Sequence, residues 1–291
     1  MNPVYEYFKE RSKELDLYPQ NEEPIPTPTN FRELSCGILS NQPRILDSLI
    51  ECYQNVFGAR DIWGEGAICS NCGSIIPIED YRVSIQQNKD NLKCGRYGCG
   101  GILLPFYPKE ELKSRILREM DINEYYLPFC LAMFDATWKD RIVGFCWGVI
   151  DTIPQISRRI RQNRYANNPS LGEKVGNQLA EYLGSQNKIL FFDEVGVRRD
   201  YRGGIGPVVY LTRLGFAKAL ERNTTSAIFW TSTKSPIYKI CLLSGFVETI
   251  KTPDNLVFLY LEDFLPLLKV MQNNTIEGDA KILLEANKFL G

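Results

Sequence analysis

Nine cysteines stand at positions 36, 52, 69, 72, 94, 99, 130, 146 and 241, and four of them are spaced to hold a metal. Cys69-Ser70-Asn71-Cys72-Gly73 and Cys94-Gly95-Arg96-Tyr97-Gly98-Cys99-Gly100 give C-x2-C, 21 intervening residues, then C-x4-C. Zinc takes four soft ligands in a tetrahedron, and two short turns supply them when glycines let the backbone amides fold around the sulfurs. Cys69, Cys72, Cys94 and Cys99 are therefore expected to hold one structural Zn2+. A closed four-thiolate site leaves no open position for catalysis. The odd cysteine total, the chain length and the polar start MNPVYEYFKERSKELD argue for reduced thiols and a cytoplasmic protein rather than a secreted disulfide scaffold.

A second chemical stretch runs from Phe191 to Gly206. A strand is expected to end at Val197, a glycine-dense turn Tyr201-Arg202-Gly203-Gly204-Ile205-Gly206 follows, and a helix starts near Gly206. Successive amide N–H groups in such a turn, backed by a helix N-terminus, suit a pyrophosphate. Neither GxGxxG nor GK[ST] is present, so neither common nucleotide signature fits. The 291 residues contain no histidine, which excludes Ser-His-Asp and Cys-His nucleophile pairs and HExxH zinc protease sites. Any proton shuttle must be a carboxylate, a tyrosine, a thiol or water.

The elements that position these groups can be read from periodicity. Residues 3–16 suggest a short helix, and 18–30 carry four prolines and read as a linker. A structured domain is expected from about Phe31, with helices over 44–57 and 108–120 flanking the cysteine island 66–102. Strand-like runs 127–138 and 142–150 form a hairpin pattern, and 151–187 reads as a long polar insertion with a helix near 172–183. Strand 188–197, helix 206–222, strand 226–231, helix 235–243 and strand 256–261 complete a mixed α/β sheet with helices on its faces, and 266–291 reads as a helical tail.

The cysteine island resembles a zinc ribbon, with a longer second knuckle than usual. The stretch 191–206 resembles the GNAT superfamily of acyl-CoA-dependent N-acyltransferases, whose signature is a strand, Arg/Gln-x-x-Gly-x-Gly/Ala and a helix. Gly204-Ile205-Gly206 keeps the Gly-x-Gly, while Arg202 sits one residue too close, so that either Tyr201 fills the usual arginine position or Arg202 bends in differently. The helix ending in Ser244-Gly245-Phe246 extends the resemblance, which covers roughly 31–265 with the ribbon inserted at 66–102.

The resemblance implies a mixed-sheet fold with two neighbouring parallel strands splayed apart to admit the pantetheine arm of acyl-CoA, acetyl-CoA by default. It implies backbone contacts from Val195 and Val197, pyrophosphate contacts from Tyr201 to Gly206, and a carboxylate base at Glu194, with Asp193 its rival. On an ideal strand these two carboxylates point to opposite faces. Many relatives protonate the leaving thiolate with a tyrosine where this chain has Cys241; Tyr238, one helical turn earlier, Cys241 itself or solvent could supply that proton here, and an acyl-Cys241 intermediate is not expected without a histidine to activate it. The four arginines 158, 159, 161 and 164 read as a solvated helix face or a partner contact.

The implied reaction is transfer of an acyl group to a small-molecule amine or a lysine-like side chain. With 34 basic against 35 acidic residues, a nucleic-acid partner is not expected, and no apolar run reaches bilayer length. The competing expectation is a non-catalytic acyl-CoA-binding module that docks a protein through its ribbon.

Overall fold

A computed structural model describes residues 30–60, 63–87, 92–121, 128–165, 168–184, 188–201, 206–253 and 255–272. The expected helix 3–16, the linker 18–29, Arg202–Ile205 of the glycine turn and most of the tail lie outside the described residues. The described chain runs β1 (Asn30–Glu33), α1 (Cys36–Asn41), α2 (Pro43–Gly58), β2 (Ala67–Cys69), β3 (Ile75–Ile76), α3 (Ile78–Gln87), β4 (Leu103–Pro105), α4 (Lys109–Glu119) and β5 (Pro128–Phe134). It continues with β6 (Ile142–Thr152), α5 (Ile153–Asn163), α6 (Pro169–Leu183), β7 (Lys188–Val197), a short 3-10 turn (Arg199–Tyr201), α7 (Gly206–Leu220), β8 (Ala227–Ser232), α8 (Pro236–Leu243), β9 (Val247–Lys251), β10 (Leu256–Leu261) and α9 (Leu265–Gln272).

Among the described residues a seven-stranded sheet has the order β1-β5-β6-β7-β8-β10-β9. Its pairs are antiparallel except β7 with β8. Both faces are covered, which the near-continuous apolar runs Pro128–Phe134 and Ile142–Ile150 require. One face packs Leu211, Leu214, Phe216 and Leu220 of α7 and Leu268 of α9 against Leu190, Phe192 and Val257. On the other, Leu49, Tyr53 and Val56 of α2 and Ile116 of α4 meet Phe145 and Trp147, while Ile156 and Ile160 of α5 and Val175 and Leu179 of α6 meet Phe191 and Phe258.

The region 151–187, expected to be a polar insertion with one helix, contains two packed helices. Pro154 sits in the first turn of α5, and Ile153, Ile156 and Ile160 repeat at helical spacing toward the core. The helices approach closely because Gly172 and Gly176 lack side chains: a Cβ on either would stand 2.8 Å from Tyr165 or 3.0 Å from Ser157. Strand β9 and helix α3 are likewise additions to the sequence reading.

Two irregularities shape the middle of the sheet. The parallel register of β7 with β8 covers Leu190, Phe191 and Phe192 against Ala227, Ile228 and Phe229 and ends there, while β7 runs on to Val197 beside β6 and β8 to Ser232 beside β10. Directly after that last parallel pair β7 carries a bulge: Trp147 pairs with Glu194 and Gly148 with Phe192, so Asp193 is the extra residue. Gly148 permits it, since a Cβ there would lie 1.9 Å from the Phe191 carbonyl oxygen. Gly148→Ala is therefore expected to destabilise the protein by about 1–3 kcal/mol, seen as a lower denaturation midpoint with unchanged slope. An unchanged midpoint would mean that the bulge does not depend on this contact.

Candidate active site and metal centre

The bulge changes which side chains share a face. Before it, Leu190 and Phe192 pack toward α7 while Ile189 and Phe191 pack toward α5 and α6. After it the parity is reversed, with Val195 and Val197 on the α7 side and Gly196 against Val56 and Phe145. Asp193 and Glu194, expected on opposite faces, thus enter one buried network.

Glu194 is 6% exposed. Its Oε1 accepts from the Tyr53 hydroxyl at 3.0 Å and from Arg115 Nη2 at 2.7 Å. Arg115 Nε also donates to Glu119 Oε1 at 2.7 Å, and its Nη1 to the Tyr53 hydroxyl at 2.9 Å. Glu119 Oε2 accepts from Trp147 Nε1 at 3.1 Å and lies 3.5 Å from Arg159 Nη2. Arg159 completes the chain, donating from Nε to Asp193 Oδ2 at 3.0 Å and from Nη1 to the Glu119 carbonyl at 3.2 Å. Tyr53, Phe145 and Trp147 form a stacked platform with ring centroids 4.8–5.7 Å apart, which holds the Tyr53 hydroxyl in place.

Both donors to Glu194 reach the same oxygen. Among the described residues no donor reaches Oε2. Burial pushes the Glu194 carboxyl up to about 7; Arg115 opposes the rise, and the negative charges of Asp193 and Glu119 add to it. Burial, reinforced by Glu119, also raises Asp193 against the pull of Arg159 and Arg115. Burial would raise Glu119 too, but Arg115 and Arg159 outweigh it and hold that group below the usual carboxylate range. Removing one partner of such a buried ion pair costs about 3–5 kcal/mol, because the survivor is left uncompensated.

Alternate residues of a strand direct their backbone groups to opposite neighbours. Arg198 N donates to Val143 O of β6 at 2.8 Å, and this parity turns the backbone groups of Val195 and Val197 to the β8 side, beyond the end of the β7–β8 register. Helix α7 starts at Gly206, beyond Arg202–Ile205. A mixed sheet with one parallel pair among the described strands, its register ending at Phe192, is what the sequence resemblance implies. In these respects the fold is GNAT-like.

Comparison with family models and with curated proteins finds no match. Among solved structures the chain is similar to a polyamine N-acetyltransferase from Drosophila melanogaster, 9% identical over 80% of this chain and 100% of that one, with a TM-score of 0.46. It is similar also to a CoA-dependent acyl-homoserine lactone synthase (13% identity, 87% and 98% coverage, TM-score 0.41) and to a Thermoplasma acidophilum N-acetyltransferase solved with coenzyme A (13%, 80% and 98%, TM-score 0.40). Likeness at this level transfers no residue role.

Other expected site residues are placed differently from one another. Tyr201 is buried, and its hydroxyl donates to Asp135, which also accepts from the Thr137 and Trp138 amides at 2.7 and 3.0 Å. It ties the turn after β7 to the β5–β6 connection, so its hydroxyl is engaged within the protein. Tyr238 is half-buried against the α7-side core, and its hydroxyl donates to Glu248; that bond, then burial, raises the phenol. Cys241 lies in the same core, where burial pushes its thiol up to about 12. A neutral, packed thiol is a poor nucleophile. Arg159, expected on a solvated face, is 5% exposed and part of the network. A depression of about 430 Å3 on the outer flank of α2, lined by residues including Arg44, Asp47 and Lys109, contains none of these groups.

Tyr53, Arg115 and Glu119 were absent from the sequence reading. Their helical spacing marked their helices as amphipathic, but a polar residue on a core-facing stripe carries no label naming its partner. Arg115 and Glu119 at i and i+4 were the one local signal.

The cysteine cluster forms as expected. The sulfurs of Cys69, Cys72, Cys94 and Cys99 all lie within 4.8 Å of one another, with Cys69–Cys99 at 3.6 Å and Cys72–Cys94 at 3.7 Å. A disulfide needs about 2.05 Å. Four thiolates about 2.3 Å from a central ion lie about 3.8 Å apart, so the donor set fits tetrahedral zinc. The amides of Asn71 and Cys72 approach Cys69 Sγ at 3.4 and 3.5 Å, and Gly73 and Gly98 take the left-handed conformation, φ +67° and +74°, that tight knuckles require. The cluster sits on a three-stranded sheet β3-β2-β4, whose other face carries the cross-strand row Ile75, Ile68 and Leu104.

Proposed function

We propose that this protein transfers an acyl group from an acyl-CoA thioester to an amine by direct attack, with Glu194 as the base. The observation that carries the reading is a buried carboxylate, whose Oε2 meets no donor among the described residues, on the strand whose parallel register with β8 ends two residues before it. The thioester would enter between β7 and β8 from the α7 side, its pantetheine amides bonded to the backbone at Val195, with Val197 a candidate on sequence grounds, and its pyrophosphate held by the turn Tyr201–Gly206. Arg202, Gly203, Gly204 and Ile205 remain candidates for that contact on sequence grounds alone. The Tyr201 hydroxyl is already committed to Asp135, so Arg202 is the better candidate for the motif's basic position.

An alkyl ammonium, with an ordinary pKa near 10.4, is mostly protonated at neutral pH. A carboxylate poised near 7 accepts its proton at useful rates, directly or through water. The ammonium first gives one proton to Glu194, which passes it to solvent; the freed lone pair then forms a bond to the thioester carbon, the carbonyl becomes an oxyanion stabilised by a strand N–H, and a second N–H proton passes to Glu194 Oε2. The C–S bond then breaks, and the thiolate takes a proton from Tyr238 or from solvent. Cys241 is excluded from this scheme as an acyl carrier by its burial. Zn2+ on the four cysteines would serve as a structural clamp.

Thiol release from acetyl-CoA with a panel of amines tests the reaction, and longer acyl donors test the chain length. Turnover with any amine is expected; CoA binding without turnover would instead favour a non-catalytic module. Gly204→Glu places a bulky anion in the proposed pyrophosphate turn, and calorimetry is expected to show at least a hundredfold loss of CoA affinity. Retained affinity would assign the turn another task.

A further inference from the structure

The network behind Glu194 contains three buried carboxylates, Glu119, Asp193 and Glu194, and two guanidiniums, the partly exposed Arg115 and the buried Arg159. Its charges cannot balance while all five are ionised. Arg115 is shared: Nε serves Glu119 at 2.7 Å and Nη2 serves Glu194 at 2.7 Å, so whatever strengthens one pairing competes with the other. Arg159 does not touch Glu194. It grips Asp193, the bulge residue next to Glu194, and both the carboxylate and the carbonyl of Glu119.

We propose that Arg159 and Glu119 are positioning residues that set the pH at which Glu194 accepts the substrate proton, acting through Asp193 and Arg115. This rests on Glu194 being the base. The groups facing Glu194 are Tyr53 from α2, Tyr107 just before α4, Arg115 and Glu119 from α4, Trp147 from β6 through Glu119, Asp193 from its own strand and Arg159 from α5 through Asp193 and Glu119. Glu65, which accepts from the Tyr107 hydroxyl, is the next charge outward, and Arg164 acts on it.

The geometry dictates opposite signs for two substitutions. Neutralising Arg159 removes a cation and leaves Glu119 and Asp193 uncompensated. Their field then falls on Glu194, and Arg115 is drawn further toward Glu119, so Glu194 holds its proton to higher pH. Neutralising Glu119 deletes a like charge and releases Arg115 to Glu194, so Glu194 loses its proton at lower pH. Shifts of about one pH unit are expected from single charges at this range. A merely structural role would lower the rate of both variants without moving the profiles apart.

The test uses the full chain with its metal. The Glu194 carboxyl is titrated by carbon NMR in wild type, Arg159→Gln, Arg159→Lys and Glu119→Gln, with Glu194→Gln assigning the signal, and the pH dependence of kcat/KM is recorded alongside. Arg159→Gln is expected to raise the midpoint by about one pH unit, Arg159→Lys to restore it, and Glu119→Gln to lower it by a similar amount. Should Arg159→Gln fail to fold, Glu119→Gln carries the sign alone. Carboxyl midpoints that do not move, or that move in the same direction, overturn the proposal. Carboxyl midpoints that separate while the rate profiles stay put uphold the network and instead remove Glu194 as base.

Discussion

Glu194→Gln is expected to lower kcat/KM for amine acylation by about 10^2–10^4-fold at pH 7.5 while leaving CoA affinity within a fewfold of wild type. Glutamine keeps an oxygen for Arg115 and Tyr53 but cannot take a proton at the position of Oε2. In the wild type the rate should fall about tenfold per pH unit below about 7, where Glu194 is protonated, and this limb should vanish in the variant. The stability effect has the opposite sense. A carboxyl raised in the folded state favours the protonated protein, so its contribution to stability declines as pH rises from the ordinary value near 4.5 to about 7. The variant should show a flatter dependence of stability on pH in that window. A variant with rates within threefold of wild type throughout would remove Glu194 from the chemistry.

Removal of the metal is expected to have the largest structural effect. The buried apolar cluster of the ribbon consists of Ala67, Cys69, Cys94 and Leu103, so two of its members are candidate ligands themselves. Such a core cannot offset the chain entropy of the module, and a structural zinc supplies roughly 10–16 kcal/mol of apparent binding free energy at neutral pH. About one zinc per chain should be found. Chelation, or Cys94→Ser, should open residues 66–106 to limited proteolysis while the seven-stranded sheet, which has its own cores, stays resistant. Protein that stays folded without metal and with four freely titrating thiols would refute the assignment.

Local rules carried much of the architecture. Two short cysteine knuckles with glycines are set by nearby residues, so the cluster could be named from spacing. The proline at the start of α2 and the apolar strands β5, β6, β7 and β10 were legible because a buried face imposes its period on the chain. Helix α5 was legible in principle from Ile153, Ile156 and Ile160, but its arginines obscured the stripe.

The environment of Glu194 was not legible. Asp193 and Glu194 were both candidates because the resemblance implies a carboxylate base on this strand, and an ideal strand forced a choice between them. A bulge opposite Gly148 puts both on one side, and bulges depend on what the neighbouring strand lacks, here a Cβ. Tyr53, Arg115 and Arg159 meet Glu194 and Asp193 across 141, 79 and 34 residues of sequence. Sequence therefore determined many of the elements, the four-cysteine cluster and the strand that bears the carboxylates. Tertiary structure alone decided which Glu194 oxygen meets its donors and how its proton is held, because a buried charge takes its energy from every charge packed around it, and those come from distant parts of the chain.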